Sequence, residues 1–251
     1  MTSSVVVVGS LSFDMVFKID RRPGKGETIK GDSFETFVGG KGNNQALAAA
    51  KSGALTAMVG RVGNDAYGQM LIDNLVDNNV DISCLMKCKD QGTGLANIYV
   101  DPDGDNSIVI VPRANEALTP ADVDNAIELI QASKIILLQL ESPLPSVLHA
   151  AKRARQAGKT VILNPAPAPP DGKLPAQIFQ YIDYLLPNQS ETELMTGIKV
   201  IDERSAFAAS KKLKALNQYK GNVIITMAEK GVSGLTADDT EITQASFPVS
   251  T

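Results

Sequence analysis

Gly39-Gly40-Lys41-Gly42-Asn43-Asn44-Gln45-Ala46 sets three glycines beside a lysine and two asparagines at the entrance to an alanine-rich stretch. Glycine lets backbone approach a ligand closely, and lysine and asparagine supply hydrogen-bond donors. Gly42 stands where a phosphate-binding P-loop would place Ser or Thr after Gly-Lys, so the stretch is not a P-loop. Its spacing alone leaves two readings open, a structural helix start and a ligand loop. Working outward, short apolar runs alternate with helical periodicity: Val5-Val8, a helix over 44 to 52, Ala57-Val62, a helix over 67 to 78, then Ile135-Leu138, a helix over 146 to 157, Val161-Leu163, Tyr184-Leu186, a helix over 203 to 216, and Val223-Ile225. Continuous apolar strands separated by helices predict an α/β fold, a mostly parallel sheet covered on both faces. Residues about 14 to 38 and 92 to 111 break this rhythm with loose period-2 patterns and turns at Arg22-Pro23-Gly24 and Asp103-Gly104, which predicts a small lid of antiparallel strands outside the main sheet.

Composition narrows the function. The 251 residues carry 24 Lys and Arg against 28 Asp and Glu, a formal net charge of -4, with no basic run longer than a pair such as Lys211-Lys212. Neither nucleic acid nor an anionic membrane is an expected partner, and the apolar runs are too short to span a bilayer. The start Met1-Thr2-Ser3-Ser4 has no basic, apolar leader character, so a cytoplasmic protein is expected. Cys84 and Cys88 lie four apart with no second cysteine pair, which reads as reduced thiols, and the single histidine, His149, falls on an amphipathic helix and reads as a surface residue. Asp101-Pro102-Asp103-Gly104-Asp105 opens like a calcium loop. Its sixth position is Asn106 rather than Gly and its twelfth Pro112 rather than Glu, so a solvated hairpin turn is the better reading. Thr119-Pro120-Ala121-Asp122 signals a helix start, and Ser190 to Glu193 has capping-box spacing.

Gly39 to Ala46 with Gly53 and Gly63, Gly9-Ser10 with Asp14, Gly26-Glu27-Thr28, Gln139-Leu140-Glu141, Asn164-Pro165-Ala166-Pro167-Ala168, Pro187-Asn188-Gln189-Ser190-Glu191 and Thr226 to Gly231 occur in the order of one known family. Over the whole chain from Val5 onward the sequence resembles the ribokinase-like (PfkB) carbohydrate kinases. The resemblance implies a three-layer α/β sandwich with a mostly parallel central sheet and a small β lid, here as a single domain over 1–251. It also implies transfer of the γ-phosphate of ATP to the 5-hydroxyl of D-ribose, with Mg2+ and a monovalent cation, K+, as cofactors. The family's other members act on further sugars and nucleosides, and this alternative stays open.

By the same resemblance Asp14 accepts hydrogen bonds from sugar hydroxyls at the end of the first strand, Gly40, Lys41 and Asn44 complete the sugar pocket, and Glu141 takes another hydroxyl. A buried carboxylate without a partner is costly, which points to a polar ligand near Glu141; a helix-capping acid ahead of Pro143 is the alternative. Asn188, Thr226 and Gly231 fall on the ATP side, with Glu191 ordering Mg2+ through water. Two departures stand out: Ser12 replaces a sugar-contacting Asn, and Ala228 stands where Gly is frequent. The family's second signature, Asp-Thr-x-Gly-Ala-Gly-Asp running into a helix, is expected to follow Phe247-Pro248-Val249-Ser250-Thr251. It would carry the general base and the amides that hold the γ-phosphate. The chain as written is therefore expected to be truncated at its C-terminus and feebly active, or a non-catalytic sugar-binding protein. Lid residues Phe34, Phe37 and Val38 point to a homodimer formed through the lid.

Overall fold

The computed structural model describes residues 4–247. The start read for leader character and the end at which the second signature was expected, residues 1–3 and 248–251, lie outside the described residues. The strands of the main sheet are β1 (Val5–Val8), β4 (Thr56–Gly63), β5 (Leu85–Cys88), β8 (Ile135–Leu138), β9 (Thr160–Leu163), β10 (Tyr184–Leu185), β11 (Asn222–Thr226), β12 (Val232–Leu235) and β13 (Glu241–Gln244). They form one nine-stranded sheet in the order β13-β12-β11-β10-β9-β8-β1-β4-β5. Every neighbouring pair from β5 across to β11 is parallel, and β12 and β13 return antiparallel at the edge.

β1 shows why the sheet is covered on both faces. Val6 and Val8 enter a core cluster with Ile130, Ile136, Val147, Ala151 and Leu213, whereas Val5 and Val7 enter a second cluster with Ala46, Leu71 and Leu75. A strand whose alternate side chains are all buried has an apolar layer on each side, and that is the origin of its unbroken Val run. Helices α1 (Lys41–Lys51) and α2 (Ala66–Asp77) form one outer layer; α3 (Pro120–Asn125), α4 (Ile127–Ala132), α5 (Leu144–Gln156) and α7 (Glu203–Asn217) contribute to the other, with the short α6 (Gln189–Thr196) between β10 and α7. No described helix is long and apolar enough to cross a membrane. The expected start at Thr119 is present as a full capping box with Asp122, whose carboxylate also takes two guanidinium hydrogen bonds from Arg61, each 2.8 Å.

The lid is a separate sheet of β2 (Ser12–Lys18), β3 (Ser33–Gly39), β6 (Gly94–Val100) and β7 (Asn106–Val111), ordered β3-β2-β6-β7. The expectation of purely antiparallel pairing is corrected at its centre, where β2 and β6 run parallel from Ser12↔Gly94 to Lys18↔Val100. Both strands rise out of the main sheet in the same direction, and each returns through its own hairpin partner, β3 or β7. Asp101 to Asp105 is the tip of the β6-β7 hairpin, with Asp101 N donating to Asp105 O. Partners in register share a face, so Asp14, Phe37, Ala96 and Ile110 lie on one side and Phe17, Phe34, Tyr99 and Val109 on the other. The lid residues expected to act together thus divide, Phe37 inward and Phe34 with Val38 outward.

Three further expectations are corrected. Asp14 does not end the first strand; β1 stops at Val8 and Asp14 is the third residue of β2. The helix after Gly40 begins at Lys41 rather than Asn44. His149 is half-buried, with Nε2 3.0 Å from Asp124 Oδ1. Cys84 and Cys88 are free thiols, as read.

Candidate active site

The lid stands over the carboxyl ends of β1 and β8, where the crevice of an open parallel sheet places ligands. Gly40, the residue before α1, has φ 92°, and a Cβ there would lie 2.7–2.9 Å from Leu11 and Ser12 backbone atoms; only glycine brings this helix start so close to the root of the lid. Gly40 offers no side-chain cap. The cap comes instead from Glu141, one hundred residues on, whose Oε2 accepts from Lys41 N at 3.0 Å and from the Ser10 hydroxyl at 2.6 Å. Its Oε1 lies 3.7 Å from Lys41 Nζ. Glu141 is therefore a capping acid, but of α1 rather than of the helix that follows Pro143, and its partners are already protein groups.

Ser12, Asp14, Gly40, Lys41, Asn44 and Glu141 line a single cavity of about 170 Å3, bounded on the lid side by Ala96, Ile98, Ile108 and Ile110. This is smaller than the roughly 300–1,000 Å3 typical of drug-sized ligands and is of a size for one small polar molecule. Burial, with a smaller contribution from the Glu141 charge, pushes the Asp14 carboxyl up to about 6. The five residues read from sequence as sugar-side are thus together. The lid isoleucines and Ser10 were missed. The i,i+2 spacing of Ala96 with Ile98 and of Ile108 with Ile110 marks each pair as one face, but which face meets a ligand is a tertiary fact.

A second, larger cavity of about 670 Å3 includes Asn188, Ser190, Thr226, Gly231, Gln244 and Phe247 in its lining. Asn188 and Thr226 meet in a parallel bridge that extends the β10-β11 pairing. The turn after β11 takes Ala228 through φ 50° and Gly231 through φ 85°, and a Cβ on Gly231 would be 2.0 Å from Gln244 O. Ala228 therefore occupies a left-handed conformation, which glycine adopts at less cost. Asn188 caps α6: its Oδ1 accepts from Glu191 N at 2.8 Å while Glu191 Oε2 accepts from Asn188 N at 2.9 Å. The capping box is this pair and not Ser190 with Glu193. Glu191 lines neither cavity. Burial raises its carboxyl, opposed by the Asn188 N–H and by the Lys41 charge. Lys41 thus acts on Glu141 on one side and on Glu191 on the other.

A small carboxylate-bearing cavity under a lid, with a larger cavity at the ends of parallel strands, is the arrangement of an α/β enzyme that holds two ligands. The description "pfkB family carbohydrate kinase" matches residues 2–251, and the chain belongs to that family. It is 38% identical to the ribokinase of Bacillus subtilis, over 98% of this chain and 78% of that protein. It is 36% identical to the deoxyribokinase of Salmonella typhi, over 93% of this chain and 75% of that one. The solved structure of Arabidopsis thaliana ribokinase complexed with ribose and ATP superposes with a TM-score of 0.89 at 33% identity, covering 100% of this chain and 80% of that one.

Proposed function

We propose that the chain is a carbohydrate kinase that transfers the γ-phosphate of ATP to the 5-hydroxyl of D-ribose. The observation that carries this reading is the gathering of Asp14, Gly40, Lys41, Asn44 and Glu141 around one small cavity, with Asn188, Thr226 and Gly231 around the larger one. The similarity to ribokinases, one of them complexed with ribose and ATP, supports the choice of ligands. Asp14 and Asn44 bind and orient the sugar through its hydroxyls, and the lid excludes water. Lys41 supplies positive charge in the wall of the small cavity, the kind of charge that phosphoryl transfer needs.

Among the described residues no group of three or more His, Cys, Asp and Glu could hold a metal. We assign Mg2+ as a cofactor held largely by phosphate oxygens and water, with Glu191, which lines neither cavity, acting only through water; the ion would neutralise phosphate charge. We further assign a monovalent cation, K+, a homodimer formed through the lid, and a cytoplasmic location in keeping with the free thiols. No carboxylate or imidazole lines the larger cavity, and Glu141 is committed to Ser10 and Lys41. We therefore assign the general base to the family's Asp-Thr-x-Gly-Ala-Gly-Asp stretch, which the sequence through Thr251 does not contain.

A coupled assay of ADP release tests the reading, with ribose, 2-deoxyribose, fructose and adenosine as acceptors, alongside calorimetric binding of each. Ribose is expected to bind this chain best, and Mg2+-dependent phosphorylation is expected of a protein that also carries the Asp-Thr-x-Gly-Ala-Gly-Asp stretch; strong preference for another acceptor would overturn the ribose reading. The second reading, 2-deoxyribose, is favoured by the 36% identity to a deoxyribokinase and by the short Ser12 side chain in the cavity wall. Binding without turnover by a protein that carries the Asp-Thr-x-Gly-Ala-Gly-Asp stretch would favour a sugar-binding protein.

A further inference from the structure

The small cavity has a neighbour. A second space of about 260 Å3 is lined by Ser12, Ile110 and Glu141, which also line the small cavity, and by Pro112, Asn115, Glu116, Leu140 and Pro167. Three residues therefore form a common wall, and Ser12 is the smallest of them. Its hydroxyl makes no hydrogen bond with any described residue. Asn115 is held by the Leu11 backbone, Nδ2 donating to Leu11 O at 2.8 Å and Oδ1 accepting from Leu11 N at 2.9 Å, which fixes the root of the lid. Leu140, Pro112, Pro167 and Ile110 supply its apolar surface, beside the polar Ser12, Asn115 and Glu141 and the exposed Glu116.

We infer that the acceptor site has two lobes, a polar one for the sugar ring and an apolar side lobe beyond Ser12, so that the site takes pentoses bearing a compact apolar substituent as well as the free sugar. This rests on the reading of the small cavity as the sugar site. The side lobe is larger than the sugar lobe, and a short alkyl group entering it exchanges water for the Leu140, Pro112 and Pro167 surfaces, which is favourable in proportion to the apolar area covered. Ser12 is then a specificity-determining residue, because a longer side chain at that place would fill the passage.

Isothermal titration of the full chain with ribose and with 1-O-, 2-O- and 3-O-propyl ribose tests this. At least one propyl derivative is expected to bind as tightly as ribose or tighter. Leu140→Phe, which narrows only the side lobe, is expected to weaken that derivative by about tenfold or more and leave ribose unchanged. Leu140→Ala is expected to relax the size limit, admitting a butyl derivative, and opposite shifts from the two variants are not produced by general loss of stability. Ribose binding with no binding of any propyl derivative would overturn the two-lobed site alone, and equal response of ribose and the derivative to both variants would do the same. Failure of ribose itself to bind would overturn the ribose reading and this inference with it.

Discussion

Asp14 carries the sharpest consequence at the level of single residues. Its carboxyl titrates near 6, against about 3.9 for an unperturbed aspartate, because burial and the Glu141 charge disfavour its ionised form. The folded state therefore holds this proton more tightly than the unfolded chain does. The contribution to stability is fully present below about pH 4 and is lost as pH rises through 6. Asp14→Asn is accordingly expected to raise the thermal midpoint at pH 7.5 and to leave it unchanged at pH 4. Binding shows the opposite sign, since a sugar hydroxyl donates to the ionised form: the ribose Kd of the parent chain should rise as pH falls below 6. The variant should show no such step and bind ribose about ten- to a hundredfold more weakly, as expected for a lost hydrogen bond to a charged group. A pH series of calorimetry and thermal scans checks both, and a flat ribose Kd between pH 5 and 7 would refute the assignment. That Asp14 lines the small cavity with Gly40, Lys41, Asn44 and Glu141 agrees with its company of motifs, and the lid was legible from about residue 14 onward; that the first strand stops at Val8 rather than running to Asp14 was not foreseen.

The two helix starts at the site, those of α1 and α6, show what element-level reading can and cannot reach. The glycines ahead of α1 announced a helix entrance, but its first residue is set by Glu141, and a cap supplied from a hundred positions away leaves no local pattern. At α6, Asn188 with Glu191 and Ser190 with Glu193 have the same spacing and the same chemistry. The choice between them is made by the Asn188-Thr226 bridge, which holds residue 188 in extended conformation just before the helix. The consequence is measurable. Asn188→Ala removes the acceptor for Glu191 N and is expected to cost about 1 kcal/mol in urea denaturation, as for other N-cap truncations. Asn188→Asp retains a good cap and should restore stability. If Asn188 also faces the nucleotide, the aspartate should still weaken ATP binding by placing a negative charge in the larger cavity. Recovery of both stability and ATP affinity would confine Asn188 to a capping role.

At the scale of the molecule, alternating apolar strands and helices were enough to foresee a doubly covered parallel sheet, because burial on both faces writes itself into each strand as an unbroken run such as Val5–Val8. Strand order was not foreseeable, since neighbouring strands are distant in sequence; β1 lies between β4 and β8. The lid was legible as a departure from that rhythm, yet its two faces have unequal partners. Ile108 and Ile110 line the small cavity and Val109, Val111 and Phe34 lie on the opposite side, and on both faces these residues remain about half exposed. An apolar outer face on a four-stranded sheet with open edges is a surface for self-association, and pairing about a two-fold axis would bury it symmetrically. Val109→Lys places a charge on that face without touching the cavity lining. Light scattering behind size-exclusion chromatography is expected to show the parent chain as a dimer and this variant as a monomer. The sheet itself should remain intact, because Val109 is half-exposed and its backbone pairing with Asn97 does not depend on the side chain. A ribose Kd measured on the monomer then separates two roles of the interface. An unchanged value makes association a matter of covering apolar surface alone, whereas weaker binding shows that the partner's lid steadies Ile108 and Ile110 over the sugar. A parent chain that runs as a monomer at every concentration would reject the lid-mediated dimer.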